Sequence, residues 1–410
     1  MSEWLVDVNL NLTGQQSWFH HWRQEAKKHF DTIGLPNSKQ EWWRYAPLKQ
    51  LFAQQFKLKE KAQKPEQILP FDAHRIICKN QTVMLDDVGQ LPAGLIIMPL
   101  LQAIETYPER VKPYLRSIGE QDDAFDALNA SMFEAGVWIE VPEKVKILKP
   151  ILIHYQSEQG VVSHVRNLIV AHEQSSLQVI EYFDSADEQA GFINQVSDFS
   201  IQAQANCSHL RLQKLNTTAM LQSQLRLKLA SKASFESFLL QLGGHYASCD
   251  SFVELQGEEA KVALQGVFQA AGQQTLQQRV HIQHQMPHCI SEQNFRGILD
   301  EHAHGVFIGR VDVYKDAFKT EAHQSNKNLL LSKYAQMITC PELKIDADDV
   351  ICSHGATVGQ LDEDALFYLQ TRGLTEAFAK QILVQAFIKE PMDAISNESF
   401  KQYGLQTLEH

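Results

Sequence analysis

The sequence predicts a mainly β protein with helical segments at both ends. Three observations carry this. From about Trp138 to Cys352 the helical period largely disappears, and short β-type segments recur between turn residues. Segment starts near Leu210, Glu236 and Val262 lie about 26 residues apart, a spacing in the range of solenoid coils. Small residues (Ala, Ser, Gly) fill the gaps between the segments. No leucine-rich or helical repeat fits, which leaves a parallel β-helix, with a β-sandwich as the competing architecture. The expected organisation is a mostly helical domain at residues 1–137, a β core at 138–360 and a helical domain at 361–410.

Residues Gln15–Ile33 place Trp18, Trp22, Ala26 and Phe30 at helical spacing, widened by Phe19 and Ile33, and Gly34-Leu35-Pro36 ends the helix. Trp42, Trp43 and Tyr45 follow in a loop or short helix, either packed locally or offered to a partner. Lys57–Lys64 reads as a solvated connector, and Ile76–Val88 as a β segment. Helices are expected at Ala103–Tyr114 and Asp122–Ala135. In the second, Phe125, Leu128, Met132 and Phe133 share a face and Gly136 stops it. The β segments of the core are Ile151–Tyr155, Val165–His172, Leu177–Phe183, His209–Leu215, Phe235–Leu242, Val262–Phe268, Gln278–His284 and Gly305–Tyr314. After the core, Asp362 is an N-cap for a helix carrying Leu366, Phe367 and Leu369, with Gly373 as its C′ residue. Thr375 caps a second helix, carrying Phe378, Ile382, Leu383, Gln385, Ala386 and Phe387, which ends before Pro391. Leu408-Glu409-His410 reads as an extraneous tail.

The formal net charge of −12 at pH 7, without a long basic run, argues against nucleic acid and against an anionic membrane surface. The longest apolar run, Leu91–Leu101, contains Pro92 and Pro99 and is too short to span a bilayer. No signal peptide is visible at Met1-Ser2-Glu3-Trp4. The six cysteines (Cys78, Cys207, Cys249, Cys289, Cys340, Cys352) form no CxxC pair, so reduced thiols in the cytoplasm are expected rather than disulfides or a zinc ribbon. There is no P-loop, so ATP hydrolysis is not expected of this chain. No Ser-His-Asp or GxSxG arrangement is identifiable.

Asp346–Gly373 holds the strongest chemical signal. Strand character around Cys352 would put the Cys352 thiol and the His354 imidazole on one face, since residues i and i+2 share a side. Gly355 and Gly359 would let the backbone adopt positive φ just beyond. A soft-metal or sulfur site and a plain buried thiol both fit this pair. Two histidine groups, His281/His284/His288 and His302/His304, offer a rival metal centre, because imidazole suits Zn, Fe and Ni.

Residues Glu321–Ser332 (EAHQSNKNLLLS), Cys340–Ala347 (CPELKIDA) and Asp348–Gly373 resemble the C-terminal signature of the SufB/SufD family of iron–sulfur cluster assembly scaffolds. Glu41-Trp42-Trp43-Arg44-Tyr45 is similar to that family's N-terminal E-x-W-R-Y segment. CSHGAT at Cys352–Thr357, where SufB proteins read CEHEAT-like, is more similar to the SufD branch. The resemblance favours a right-handed parallel β-helix over the sandwich. It implies a non-enzymatic scaffold subunit that pairs with SufB and carries the ATPase SufC. It implies a transient iron–sulfur cluster at the SufB interface, with His354 as ligand and Cys352 as accessory ligand or sulfur acceptor, and no tightly bound cofactor on the isolated chain. It places SufC docking on Leu366, Phe367, Leu369, Phe378, Ile382 and Phe387. His323 and Asn326, in the matching segment, are read as structural. A homodimer of the isolated chain is a further expectation, because a surface that pairs with a homologue can pair with itself. A histidine-based metalloenzyme and a purely structural adaptor are the alternatives.

Overall fold

The computed structural model describes residues 16–408, apart from 47, 49–51, 54–55, 60–63, 66–68, 90, 117–118 and 120–122. Met1–Trp4 lies outside the described residues and the Lys57–Lys64 connector partly so.

The chain begins with helix α1 (Ser17–Ile33), a short 3-10 turn at Glu41–Trp43, the hairpin β1 (His74–Lys79) and β2 (Thr82–Asp87), and β3 (Ile96–Pro99). Helices α2 (Leu100–Thr106), α3 (Pro108–Val111) and α4 (Ala124–Met132) follow. The solenoid strands are β4 (Val137–Val141), β5 (Ile151–Ser157), β6 (Val162–Ala171), β7 (Ser176–Ser185), β8 (Phe192–Ile201), β9 (Asn206–Gln213), β10 (Met220–Leu229) and β11 (Ser234–Gln241). They continue as β12 (Tyr246–Leu255), β13 (Lys261–Ala270), β14 (Thr275–His284), β15 (Ile290–Leu299), β16 (His304–Val313), β17 (Glu321–Leu330), β18 (Gln336–Ile345) and β19 (Ile351–Gln360). Helices α5 (Glu363–Thr371), α6 (Glu376–Asp393) and α7 (Glu398–Leu408) end the described chain.

From β5 onward, odd and even strands alternate between two sheets, and within each sheet neighbouring coils pair in parallel. This is a parallel β-solenoid of about eight turns, which excludes a sandwich of antiparallel sheets. One short turn recurs in every coil between an even strand and the next odd one. Its corner residue has positive φ: Gln174 (57°), Gln204 (57°), Lys232 (59°), Glu259 (59°), His288 (58°), Lys319 (54°) and Asp349 (54°). Each corner from Gln174 to Lys319 donates its backbone N–H to a carbonyl of the next coil, as Gln204 does to Ser231 at 3.0 Å and Lys319 to Asp349 at 2.7 Å. The residue after the corner is small and buried, as in Ser175, Ala205, Ala233, Ala260, Cys289 and Thr320. This column is the source of the small-residue texture in the sequence.

The space between the sheets is filled mostly by Leu, Val, Ile and Phe from alternate strand positions. A polar node sits among them. The Glu181 carboxylate, fully buried, accepts from Tyr155 Oη at 2.8 Å, Ser197 Oγ at 2.6 Å, His209 Nε2 at 3.1 Å and Arg211 Nε at 2.9 Å. Burial alone would raise its pKa, but the Arg211 guanidinium and the His209 hydrogen bond hold it well below the usual carboxylate range.

The outer face of the even sheet is covered by the N-terminal helices. Phe19, Trp22 and Phe133 pack on Trp138, Leu168 and Val170, and Trp43, Phe125 and Leu128 pack on Val162, Phe192 and Tyr246. Asp126 on α4 fixes this seam through Arg116 at 2.9 Å, Arg166 at 3.2 Å and Arg226 at 3.1 Å. The outer face of the odd sheet is covered by the ends of α6 and α7, where Ile388, Met392 and Phe400 meet Tyr182, Leu212 and Leu240.

Several expectations are corrected. The repeat has no fixed step of 26 residues: Met220 lies opposite Tyr246, a step of 26, but Ser234 lies opposite Lys261, a step of 27, and His304 opposite Gln336, a step of 32. Leu210, Glu236 and Val262 do not share a register, since Leu210 faces Phe238 and Glu236 faces Ala263. The β8, β10, β12, β15, β17 and β18 strands escaped the sequence reading. Buried amides and hydroxyls such as Asn194, Gln222, Ser248 and Asn326 interrupt their apolar pattern. Ile76–Val88 is a two-stranded hairpin, and Ala103–Tyr114 is broken at Tyr107, before Pro108. Gly355 and Gly359 lie inside β19 rather than at a turn, and neither has positive φ. Helix α6 runs through Pro391 to Asp393, and the missing Pro391 N–H leaves the Phe387 carbonyl without its intrahelical donor. Leu408 ends α7 and packs against the apolar cluster over the odd sheet, so it belongs to the fold.

The corner column gives one stability test. A β-branched residue at positive φ costs about 1–2 kcal/mol. Lys232→Val is therefore expected to unfold in urea with a free energy about that much below Lys232→Gly, and equal values would refute the constraint. A second test concerns pH. His164 is fully buried and burial pushes its pKa down to about 3, so the native state keeps it neutral while the unfolded chain protonates it below about 6.5. Its contribution to stability is present above that value and falls as pH drops from there toward 3. Replacing His164→Gln should flatten the stability–pH slope between these limits by about one proton, or ~1.4 kcal/mol per pH unit. An unchanged slope in denaturation series would count against it.

Candidate functional site

The C-terminal end of the solenoid is where the sequence signal falls. Strand β19 is the outermost strand of one sheet and β18 the outermost of the other, so each pairs on one side only. Backbone groups on the far edges are left without a ladder partner, a template for further strand pairing. Ile345, Ile351 and Val358 are exposed along this end.

Pairing with β17 fixes the direction of the β19 side chains. Cys352 lies opposite Ala322 and His354 opposite Gln324. Ala322 and Gln324 are both buried on the inner face of the solenoid. Cys352 and His354 therefore leave the strand together on that inner face, as their spacing predicts. Among the described residues no further coil covers them: Cys352 is half-buried against the apolar core, whereas His354 is exposed. Among the described residues the His354 ring makes no side-chain hydrogen bond or ion pair. Burial pushes the Cys352 thiol up, partly offset by a backbone hydrogen bond at Ala322. The chain thus offers a neutral thiol beside an imidazole that has no hydrogen-bond or ion-pair partner among the described residues.

The other cysteines are placed differently. Cys78, Cys207, Cys249 and Cys289 are buried, and burial raises all four thiols, Cys249 to about 12 and Cys289 to about 11. Such thiols are poor nucleophiles and poor ligands. Cys340 is half-buried opposite Ile308 on β16, which turns it to the outer face, where Tyr45 and Arg44 adjoin it.

The histidine groups do not converge. His281 is hydrogen-bonded to Asp312 at 2.8 Å on the outside, while His284, three residues on, is buried against Ser291 at 2.8 Å. His288 occupies a corner of the turn column beside Phe318. His302 stacks on Tyr334 with centroids 4.8 Å apart, and His304 opens β16 opposite Gln336. Among the described residues, no three His, Cys, Asp or Glu side chains are grouped to hold a metal ion.

His323 reaches Ser353 at 2.8 Å, and Asn326 is fully buried with its amide on Phe295 O at 3.4 Å. Trp43 is buried beneath the Arg279 guanidinium, 4.3 Å from its ring, so the Trp42-Trp43 segment contributes to packing. The sequence reading missed Gln324, Asn328 and Thr339, polar residues on or beside the inner face below His354. Each keeps a buried side-chain oxygen without a hydrogen-bond partner in the described structure. The signal for Gln324 was its place one coil, 30 residues, before His354, visible only once the register is known.

Beyond β19, Asp362 caps α5 by accepting from the N–H groups of Asp364 and Ala365, and Gly373 has φ 89° at its end. Thr375 caps α6 through the Phe378 N–H. Leu366, Leu369 and Ile382 are half-buried, whereas Phe367 (67 %) and Phe378 (50 %) are exposed. Phe387 differs from the other predicted docking residues. It packs on the odd sheet beneath the Arg296 guanidinium, 5.4 Å from its ring, and is part of the fold.

No helix among the described residues is long and apolar enough to cross a membrane. The family described as "SUF system FeS cluster assembly, SufBD core domain" matches residues 154–387, and the "SufBD protein N-terminal region" matches 10–153. The chain is 28 % identical to the iron–sulfur cluster assembly protein SufD of Escherichia coli, covering 95 % of each chain. It is 27 % identical to a SufBD family protein of Synechocystis over 91 % of this chain and 86 % of that one. Identity to SufD of Bacillus subtilis is 24 %, over 77 % of this chain and 74 % of that one. With a core-domain match across more than half its length, on a parallel solenoid whose last strand carries Cys352 and His354, the chain belongs to the SufBD family of iron–sulfur cluster assembly proteins.

Proposed function

We propose that this chain is a SufD-type scaffold subunit that builds and hands on nascent iron–sulfur clusters together with a SufB-type partner and the ATPase SufC, in the cytoplasm and without enzymatic activity of its own. The observation that carries the reading is the open end of the solenoid, where two half-paired edge strands present Cys352 and His354 on one inner face. A homologous solenoid docked there extends both sheets and supplies the ligands this chain lacks. Iron accepts thiolate and imidazole, and an incomplete ligand set on each partner suits a cluster that must be held and then released. The cluster is cargo here. Its binding replaces the Cys352 proton, because only the thiolate is a ligand.

The exposed rings of Phe367 and Phe378, on the helical hairpin α5–α6, are offered as the docking face for the ATPase. The sequence has no phosphate-binding loop, so nucleotide energy enters through that partner. Because α6 is anchored on the odd sheet at Ile388 and Met392, movement of the hairpin pulls on the same sheet that ends in β19.

Two tests follow. Co-expression with SufB and SufC, then anaerobic iron and sulfide analysis, should give cluster in the wild-type complex and little in an intact His354→Ala complex. Equal cluster in both would leave this chain a structural adaptor. Replacing Phe367→Ser together with Phe378→Ser should weaken SufC capture at least ten-fold, about 1.4 kcal/mol or more, with the thermal transition of the isolated chain unchanged. Undiminished capture would refute the docking face.

A further inference from the structure

We infer that Gln324 is the positioning residue for His354, holding one ring N–H of the imidazole on its side-chain oxygen and so leaving the other ring nitrogen as the donor to iron. The inference rests on the scaffold reading for its consequence, but its geometry stands separately.

The two residues are register partners on adjacent parallel strands and face the same side. Neighbouring strands lie about 4.8 Å apart, a gap that a glutamine side chain spans. Gln324 is only 4 % exposed and its amide is fixed from below: Nε2 donates to Gln293 Oε1 of the preceding coil at 3.1 Å. Gly309 on the facing strand β16 leaves room for that amide, since a Cβ there would overlap Gln324 Nε2. With its nitrogen committed to the coil below, the amide oxygen has no hydrogen-bond partner in the described structure. A buried acceptor left open is uncommon in a folded protein and calls for a donor.

His354, in the coil above, is the residue placed to provide one. Its ring makes no hydrogen bond or ion pair among the described residues, so both ring nitrogens are open to one. A histidine that binds metal through one nitrogen regularly gives its other N–H to a carbonyl or carboxylate, which fixes both the tautomer and the ring plane. The amide oxygen of Gln324 is such an acceptor, and it belongs to this chain, so the ring can be oriented before the partner's ligands arrive.

The test uses the full chain labelled with 15N-histidine, at about pH 8.5 where an ordinary imidazole is neutral. Long-range proton–nitrogen spectra identify the His354 ring by its loss in His354→Ala. The wild type should show one fixed tautomer. Gln324→Met should show averaging between the two, and Gln324→Glu, which keeps an acceptor, should restore the fixed form. Gln293 Nε2 has no hydrogen-bond partner among the described residues and can turn to meet the new carboxylate. An averaged ring in the wild type, or the same fixed tautomer in Gln324→Met, overturns the inference. In the co-purified complex, Gln324→Met should lower iron affinity by about 10–100-fold, the range for loss of such a supporting group. Iron affinity equal to wild type in Gln324→Met, while His354→Ala loses its iron, also overturns it. A fixed wild-type tautomer lost in Gln324→Met, together with normal iron in His354→Ala, leaves the positioning intact and rejects the scaffold reading.

Discussion

Every strand in the middle of the solenoid takes its hydrogen bonds from the coil before it and the coil after it. The backbone is satisfied by stacking alone, and the stack has no intrinsic place to stop. The two ends of this protein are closed in different ways. At the N-terminal end, β3 pairs antiparallel with β4, and β2 with β1, and these reversed strands end the parallel run. At the C-terminal end no reversed strand is present among the described residues. Sheets finish at β18 and β19, and the last corner, Asp349, receives a bond from Lys319 without a further coil beyond it. The asymmetry places Cys352 and His354 at the end of the stack that no reversed strand closes among the described residues.

Stacking also explains why the interior tolerates polar groups. A side chain on the inner face has a register partner directly above and below, so an amide or carboxylate can be satisfied along the axis of the stack. Gln324 binds Gln293 in this way, and Glu181 collects Arg211 and Tyr155 from neighbouring strands and Ser197 from the facing sheet. The same logic holds outside the even sheet, where Asp126 gathers three guanidinium groups from the seam between α4 and the strands. Buried charge of this kind adds little net stability over an apolar core, but removing one partner alone is costly, so it enforces register.

Burial sorts the cysteines. Four lie inside the protein as protonated thiols, and Cys340 faces outward beside Tyr45 and Arg44. Cys352 alone combines partial exposure with an imidazole two residues away on the open inner face. The same end-of-stack position that leaves β19 half-paired makes its side chains reachable. The proposed site and the proposed interface both rest on that one structural fact.

The sequence by itself determined the mainly β core with helical ends, the shared face of Cys352 and His354, and the caps at Asp362 and Thr375. These depend on local rules: strand alternation, and short side chains that bond the first N–H groups of a helix. It misjudged what depends on register. The coil step varies from 26 to 32 residues because the turns differ in length, and no local pattern reports that. Strands such as β8 and β10 carry buried Asn, Gln and Ser, whose burial is favourable only because a neighbouring coil supplies their hydrogen bonds. Only the tertiary structure could decide that Phe387 is packed while Phe367 is exposed, that His281 and His284 face opposite ways, and that Gln324 lies beside His354. Each of these is set by which coil or helix lies against the residue, a contact between segments distant in the chain.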